Sequence, residues 1–131
     1  MRVLALDYGS ARCGVAISDP TGVLASPLEP VLRPSSKSGQ VQMLGLIESL
    51  EVERVVVGLP LSLSGADSAQ TREVRKFAAW LGRKLPVPVE LYDERFTTKM
   101  AQRDGDGGGA RTSEDSRAAA HLLSGWLERG A

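Results

Sequence analysis

What most constrains this chain is its beginning. Residues 2–7, Arg-Val-Leu-Ala-Leu-Asp, form a nearly continuous apolar run with no room for a helix before Gly9, the pattern of a strand buried on both faces of a sheet. Gly9, Ser10 and Ala11 make a turn, and Cys13 to Ser18 is a second apolar run bounded by Asp19-Pro20. Two such runs with so short a connection predict a β-hairpin. Val23 to Leu32 suits a third strand at a sheet edge, because Pro27 and Pro30 cannot donate to a ladder.

The rest of the chain alternates between helical and strand patterns. Arg33 to Gly39 reads as a polar loop, after which Val41, Leu44, Ile47 and Leu50 recur at helical spacing. Arg54 to Pro60 is a short β-branched strand. Over residues 68–85, Val74, Phe77, Leu81 and Leu85 follow steps of 3, 4 and 4 and define one helix face, with Trp80 beside that stripe as an extension of the core face. Arg72, Arg75, Lys76, Arg83 and Lys84 read as a solvated face of the same helix. Val87 to Tyr92 is the last strand, Thr97 to Arg103 a short helix, Gly105 to Gly109 a flexible loop, and residues 113–128 the final helix. A three-strand meander followed by α-β-α-β-α predicts an α/β fold, a mixed five-stranded sheet flanked by helices, in one domain over residues 1–131.

Composition limits the chemistry. The chain holds 131 residues, enough for a real core without covalent staples, and its one cysteine, Cys13, and one histidine exclude an internal disulfide or a structural zinc site. Cys13, inside an apolar strand, reads as a small buried hydrophobe. Residues 1–66 carry 5 basic and 6 acidic side chains and residues 67–131 carry 11 and 10, together 16 of each sign in the whole chain. Zero net charge excludes binding of nucleic acid by bulk attraction, so any such site is a local patch. The first apolar run meets Asp7 too soon for a signal peptide, and no run approaches the ~20 residues that cross a bilayer. A soluble, cytoplasmic protein with no membrane partner is expected.

Three places carry candidate chemistry. Asp7 ends the first strand, where open α/β sheets place their ligand crevice, although an isolated Asp-x-Gly is also a common turn. Asp93 and Glu94 follow the last strand; neighbouring side chains point oppositely, so one of the two faces the crevice, and alternation alone does not choose. Asp115 shares a helix face with Ala118, Ala119, Leu122 and Trp126, whereas Glu114 lies on the polar side. A carboxylate there either serves a helix start capped by Thr112 or Ser113 or pairs with a cation. Acids from two strand ends and one helix start make a candidate hard-cation site, suited to Mg²⁺ or Mn²⁺ and to metal-assisted phosphodiester hydrolysis.

The segments LALDYGSARCGVAISD at 4–19, VVVGLPLS at 55–62, DERFTT at 93–98 and DSRAAAHLL at 115–123 resemble, in order and over nearly the whole chain, the YqgF (RuvX) family, whose members are regarded as Holliday junction resolvases and pre-16S ribosomal RNA nucleases. The resemblance implies a ribonuclease H-like fold and an acidic metal site at Asp7, Glu94 and Asp115, with Asp93 in reserve for the middle position. Arg12 and Arg95 are the candidate phosphate contacts, and branched DNA or precursor rRNA the expected partner. Ser10-Ala11 stands where the family often has Thr-Lys, but no implied ligand is missing. Two other readings compete: an actin-like nucleotide-binding domain, which shares the sheet and the opening Asp-x-Gly, and a ribosome-maturation factor that binds RNA without cleaving it. A two-fold junction would favour a homodimer.

Overall fold

The structure, a computed structural model, describes residues 1–96 and 113–129. Five strands, β1 (Val3–Asp7), β2 (Arg12–Ser18), β3 (Ala25–Leu32), β4 (Arg54–Leu59) and β5 (Val89–Asp93), form one sheet in the order β3-β2-β1-β4-β5. Among the described residues three helices accompany them: α1 (Lys37–Leu50), α2 (Ala69–Lys84) and α3 (Glu114–Glu128), with a 3-10 turn at Glu94–Phe96 directly after β5. The hairpin β1-β2 and the pair β2-β3 are antiparallel, while β1-β4 and β4-β5 are parallel, as the helical crossovers require. The mixed sheet and the proline-bearing edge strand follow the sequence reading. The expected helix at Thr97–Arg103 and the loop at Gly105–Gly109 lie outside the described residues.

Alternation along the strands sorts the core into two layers. Leu4, Leu6, Val15, Val55 and Val57 face α1 and α2, meeting Met43, Ile47, Val74, Phe77 and Leu81. Val3, Ala5, Ala16, Val56 and Tyr92 face α3, meeting Ala119, Leu122, Leu123 and Trp126. Buried on both faces, β1 and β4 are apolar in nearly every position for that reason.

Each helix begins at a serine. Ser36, Ser68 and Ser113 accept hydrogen bonds from the backbone N–H of Gly39, Thr71 and Ser116, satisfying donors the helix itself leaves free. The stretch expected as a loop through Gly39 is therefore already helical from Lys37; its Ser-Lys-Ser-Gly composition hides the start. Gly39 is required there, since a Cβ would lie 2.0 Å from the Arg33 carbonyl oxygen. The face of α1 also differs from expectation. Val41 is 69% exposed, while Gly39, Met43 and Ile47 are buried. Repeated steps of three turn the helix backwards, so positions 41 and 50 end about 180° apart, whereas steps of four hold one stripe.

Two clamps fix α3 to the sheet. At its first turn the buried Ser116 hydroxyl accepts the Val15 N–H at 3.1 Å, next to the irregularity where β2 shifts register against β3. At its far end Trp126 Nε1 and Arg129 Nη2 donate to Glu90 Oε2 at 3.1 and 3.2 Å, and Arg54 Nη1 to Glu90 Oε1 at 3.0 Å. The buried face of α3 is Ser116, Ala119, Leu122, Leu123 and Trp126. Ala118, expected on that face, is exposed, and Asp115 sits at its edge. No helix among the described residues is long and apolar enough to cross a membrane.

Candidate active site at the carboxyl end of the sheet

Asp7 is the last residue of β1 and pairs across the hairpin with Gly14. It follows Val3 and Ala5 on the α3 face, so its carboxylate points beneath the start of that helix. Gly14 makes the approach of α3 feasible: a Cβ there would fall 2.0 Å from the Asp115 carbonyl oxygen. The helix backbone thus rests on a glycine directly opposite Asp7, which brings Asp115 to the same end of the sheet.

The last strand delivers the third acid by alternation. Glu90 and Tyr92 lie on the α3 side, Glu90 bonded to Trp126 and Tyr92 in the α3 core, and Glu94 continues the series. Its side chain occupies the space left by Gly58, where a Cβ would come 3.0 Å from Glu94 Cγ and 3.1 Å from Leu122 Cδ2. Asp93 points elsewhere and is engaged. Arg95 grips it in a fork, Nε to Oδ2 at 2.9 Å and Nη2 to Oδ2 at 2.6 Å, with the Arg95 N–H adding a bond to Oδ1 at 2.9 Å. Asp93 is consequently held below the usual carboxylate range.

The electrostatics of the other acids run the opposite way. Burial, then the charges of Glu94 and Asp115, push the Asp7 carboxyl up to about 7. Glu94 is also raised, by burial first and by Asp93 second. Cys13, fully buried, is pushed up by burial first and then by Asp7 and Asp115, so its thiol stays protonated and takes no nucleophilic role. Among the described residues no group of three or more His, Cys, Asp or Glu side chains closes around a point that could hold a metal ion. Asp115 instead turns toward Arg12, with Oδ2 at 3.6 Å from Nε, an ion pair open to solvent on both sides.

The two arginines expected to meet phosphate differ. Arg12, the first residue of β2, is half exposed and among the described residues holds only its long contact to Asp115. Arg95 is committed: besides Asp93, its Nη1 donates to the carbonyls of Ser62 and Leu63 at 3.4 and 3.3 Å, bracing the turn after β4. Sequence reasoning missed Gly14, Gly58 and Ser116. A glycine within an apolar strand pattern is the signal that could have found the first two, since such positions mark close approach; nothing local distinguishes Ser116.

A mixed sheet of this order, with acids at the carboxyl ends of its central strand β1 and edge strand β5 and a helix docked beside them, defines the fold as ribonuclease H-like. RuvC of Thermus thermophilus in complex with a Holliday junction has the same architecture at a TM-score of 0.64, with 17% identity over 99% of this chain and 97% of that one. The fowlpox virus Holliday junction resolvase aligns at 0.60 with 10% identity, over 100% of both chains. The chain belongs to the RuvX family, whose profile, described as Holliday junction resolvase, matches residues 1–129. A protein of Maridesulfovibrio salexigens named as a candidate pre-16S rRNA nuclease is 39% identical over 98% of this chain and 99% of its own length. One of Koribacter versatilis with the same name is 47% identical over 102 residues, 78% of this chain and 67% of its own.

Proposed function

We propose that the chain is a cytoplasmic, divalent-cation-dependent endonuclease that hydrolyses phosphodiester bonds in structured nucleic acid, a four-way DNA junction or a precursor rRNA end. Nuclease activity follows from the family and its full-length relatives. The observation that carries the site is the setting of Asp7: a largely buried carboxylate at the end of β1, opposite the glycine on which the Asp115 backbone rests, whose ionisation is opposed by the charges of Glu94 and Asp115. Such a carboxylate needs a cation, and the donors around it are all oxygens, which suits Mg²⁺ or Mn²⁺ rather than zinc. Asp7, Glu94 and Asp115 would hold the ion. When bound, it supplies Lewis-acid charge at the scissile phosphate and activates water for attack.

The protein's own part is positional. The Gly58 space keeps Glu94 directed across β4 toward Asp7; a cation held here would keep Asp7 ionised and would compete with Arg12 for Asp115, leaving Arg12 available to a phosphate at the mouth of the site. Arg95 contacts phosphate only by releasing the Ser62 and Leu63 carbonyls, so its first role is to hold that turn and to keep Asp93 away from the site. We read residues 1–131 as one domain that acts on a symmetric junction as a homodimer, because paired incisions need paired sites. The test is cleavage of matched junction DNA and rRNA-precursor substrates with Mg²⁺ or Mn²⁺ by the wild-type protein and by Asp7→Asn. Cleavage by the wild type alone supports the reading. Equal cleavage by both proteins, or none by either, overturns it.

A further inference from the structure

The acids use one side of the end of β1. Tyr8, the next residue, points to the opposite side and enters a groove of about 510 Å³ between the first turns of α1 and the flank of α2, lined by Gln40, Glu73, Lys76, Trp80 and Arg83. We propose that this groove holds an unpaired strand of the substrate, a base stacking on Trp80 with adjacent phosphates on Lys76 and Arg83. The inference deepens the nuclease reading and rests on it.

Three observations carry it. The first is a ladder of rings, Tyr8 to Phe77 at 4.5 Å between centroids and Phe77 to Trp80 at 6.1 Å, the latter pair stacked with 29° between planes. Tyr8 and Phe77 are buried and Trp80 is half-buried against the core, so the indole is the ring of the three with surface left open, backed by those beneath it. The second is charge. Arg12, Arg54, Arg75, Arg95 and Arg129 each face a carboxylate. The side chains of Lys76 and Arg83, like those of Arg33, Lys37, Arg72 and Lys84, have neither ion-pair nor hydrogen-bond partner among the described residues, but these two are the cations that line the groove, and the one acid beside them there is Glu73.

The third is spacing. Glu73, Lys76, Trp80 and Arg83 follow one another at steps of 3, 4 and 3 along one flank of α2 and span about 15 Å. That places one cation a turn to either side of the ring, the alternation of phosphate and base contacts that a single strand presents. A base stacks on an indole whatever its identity, which fits a chain with no base-reading motif. Because Asp7 and Tyr8 are consecutive, a strand crossing this end of the sheet meets the acids on one side and the groove on the other.

The test reads Trp80 directly. The chain has two tryptophans, so Trp126→Phe leaves Trp80 as the only indole; should that variant fail to fold, the difference between wild type and Trp80→Phe reports the same residue. Twelve-nucleotide oligo-U and oligo-dT are titrated in EDTA, where no cleavage occurs, and binding is followed in parallel by anisotropy of the labelled strand. Expected are quenching of Trp80 with a Kd of roughly 1–100 μM and a linear dependence of log K on log salt. The double variant Lys76→Ala/Arg83→Ala should flatten that dependence by about 1.4 in slope, and Trp80→Ala should weaken binding roughly tenfold or more. Binding that leaves Trp80 emission unchanged, or no binding at all, overturns the proposal. So does emission that tracks protein concentration instead of oligonucleotide, which assigns the groove to a second copy of the chain. None of these outcomes touches the nuclease reading, which stands or falls on cleavage by wild type and Asp7→Asn.

Discussion

At the scale of single residues, the proposed site depends on which of two neighbouring acids faces the sheet. Asp115 lies at the edge of the docked face of α3, and its charge reaches Asp7; Glu114, one residue earlier, is exposed. Asp115→Asn should cut cleavage by orders of magnitude and Glu114→Gln should change it little, with both variants folded by circular dichroism. A dipolar role for Asp115 would instead cost about 0.3–1 kcal/mol of stability and leave cleavage near wild type, which would end the three-carboxylate site. Gly58 makes a sharper test of geometry. A methyl group there meets Glu94 Cγ at 3.0 Å and Leu122 Cδ2 at 3.1 Å, and Glu94 is the neighbour with somewhere to go. Gly58→Ala should destabilise by about 1–3 kcal/mol in urea unfolding and lower cleavage far beyond what that loss explains, because Glu94 is displaced from Asp7.

At the scale of elements, α3 is, among the described residues, the one α-helix that reaches the proposed site, and its first turn is the critical joint. Ser116→Ala leaves the Val15 N–H buried without an acceptor, at a cost of about 1–3 kcal/mol. Amide exchange at Val15 should accelerate with it, and cleavage should fall because Asp115 adjoins the broken joint. Ser116→Thr, which keeps the hydroxyl, should retain slow exchange at Val15. Unchanged exchange in Ser116→Ala would show that the joint does not hold α3. A Cβ at Gly14 meets helix backbone that cannot swing aside, so Gly14→Ala should be the more damaging change to thermal stability.

At the scale of the whole molecule, the acids set how stability depends on pH. Asp7 ionises at about 7 in the folded chain against 3.8 as its ordinary value, so between these pH values the folded state binds more protons than the unfolded state. The contribution of Asp7 to stability is therefore lost as pH rises from about 4 to about 7, by an amount of order 4 kcal/mol. Asp19, Asp67 and Asp93, all lowered, act in the other direction, losing their contribution as pH falls. The difference between Asp7→Asn and wild type isolates the Asp7 effect. Urea unfolding of the metal-free proteins should show the variant gaining on wild type across that window and levelling off above it; a difference independent of pH would contradict the buried, repelled carboxylate. For a millimolar-affinity site, a tenfold excess of Mg²⁺ should restore about 1.4 kcal/mol to wild type above pH 7 and nothing to Asp7→Asn.

Local sequence determined the elements. Apolar runs too short for helices become strands, prolines keep β3 at the edge, and steps of 3 and 4 place Val74, Phe77 and Leu81 on the buried side of α2. These signals are readable because the 2.0 and 3.6 periodicities are properties of the backbone, independent of what packs against it. The same reasoning failed over Val41 and Ala118, where a spacing fits two helix faces and only the partner surface selects one. Between Asp93 and Glu94, alternation states that the two point oppositely, and the position of α3 decides which of them is the site side. Gly14 and Gly58 were visible as glycines within strands, but what they make room for, a helix backbone in one case and the Glu94 side chain in the other, comes from residues distant in sequence. That the charges of Glu94 and Asp115 reach Asp7 is likewise a product of packing: two buried layers of side chains fix the strands and the helix that carry them.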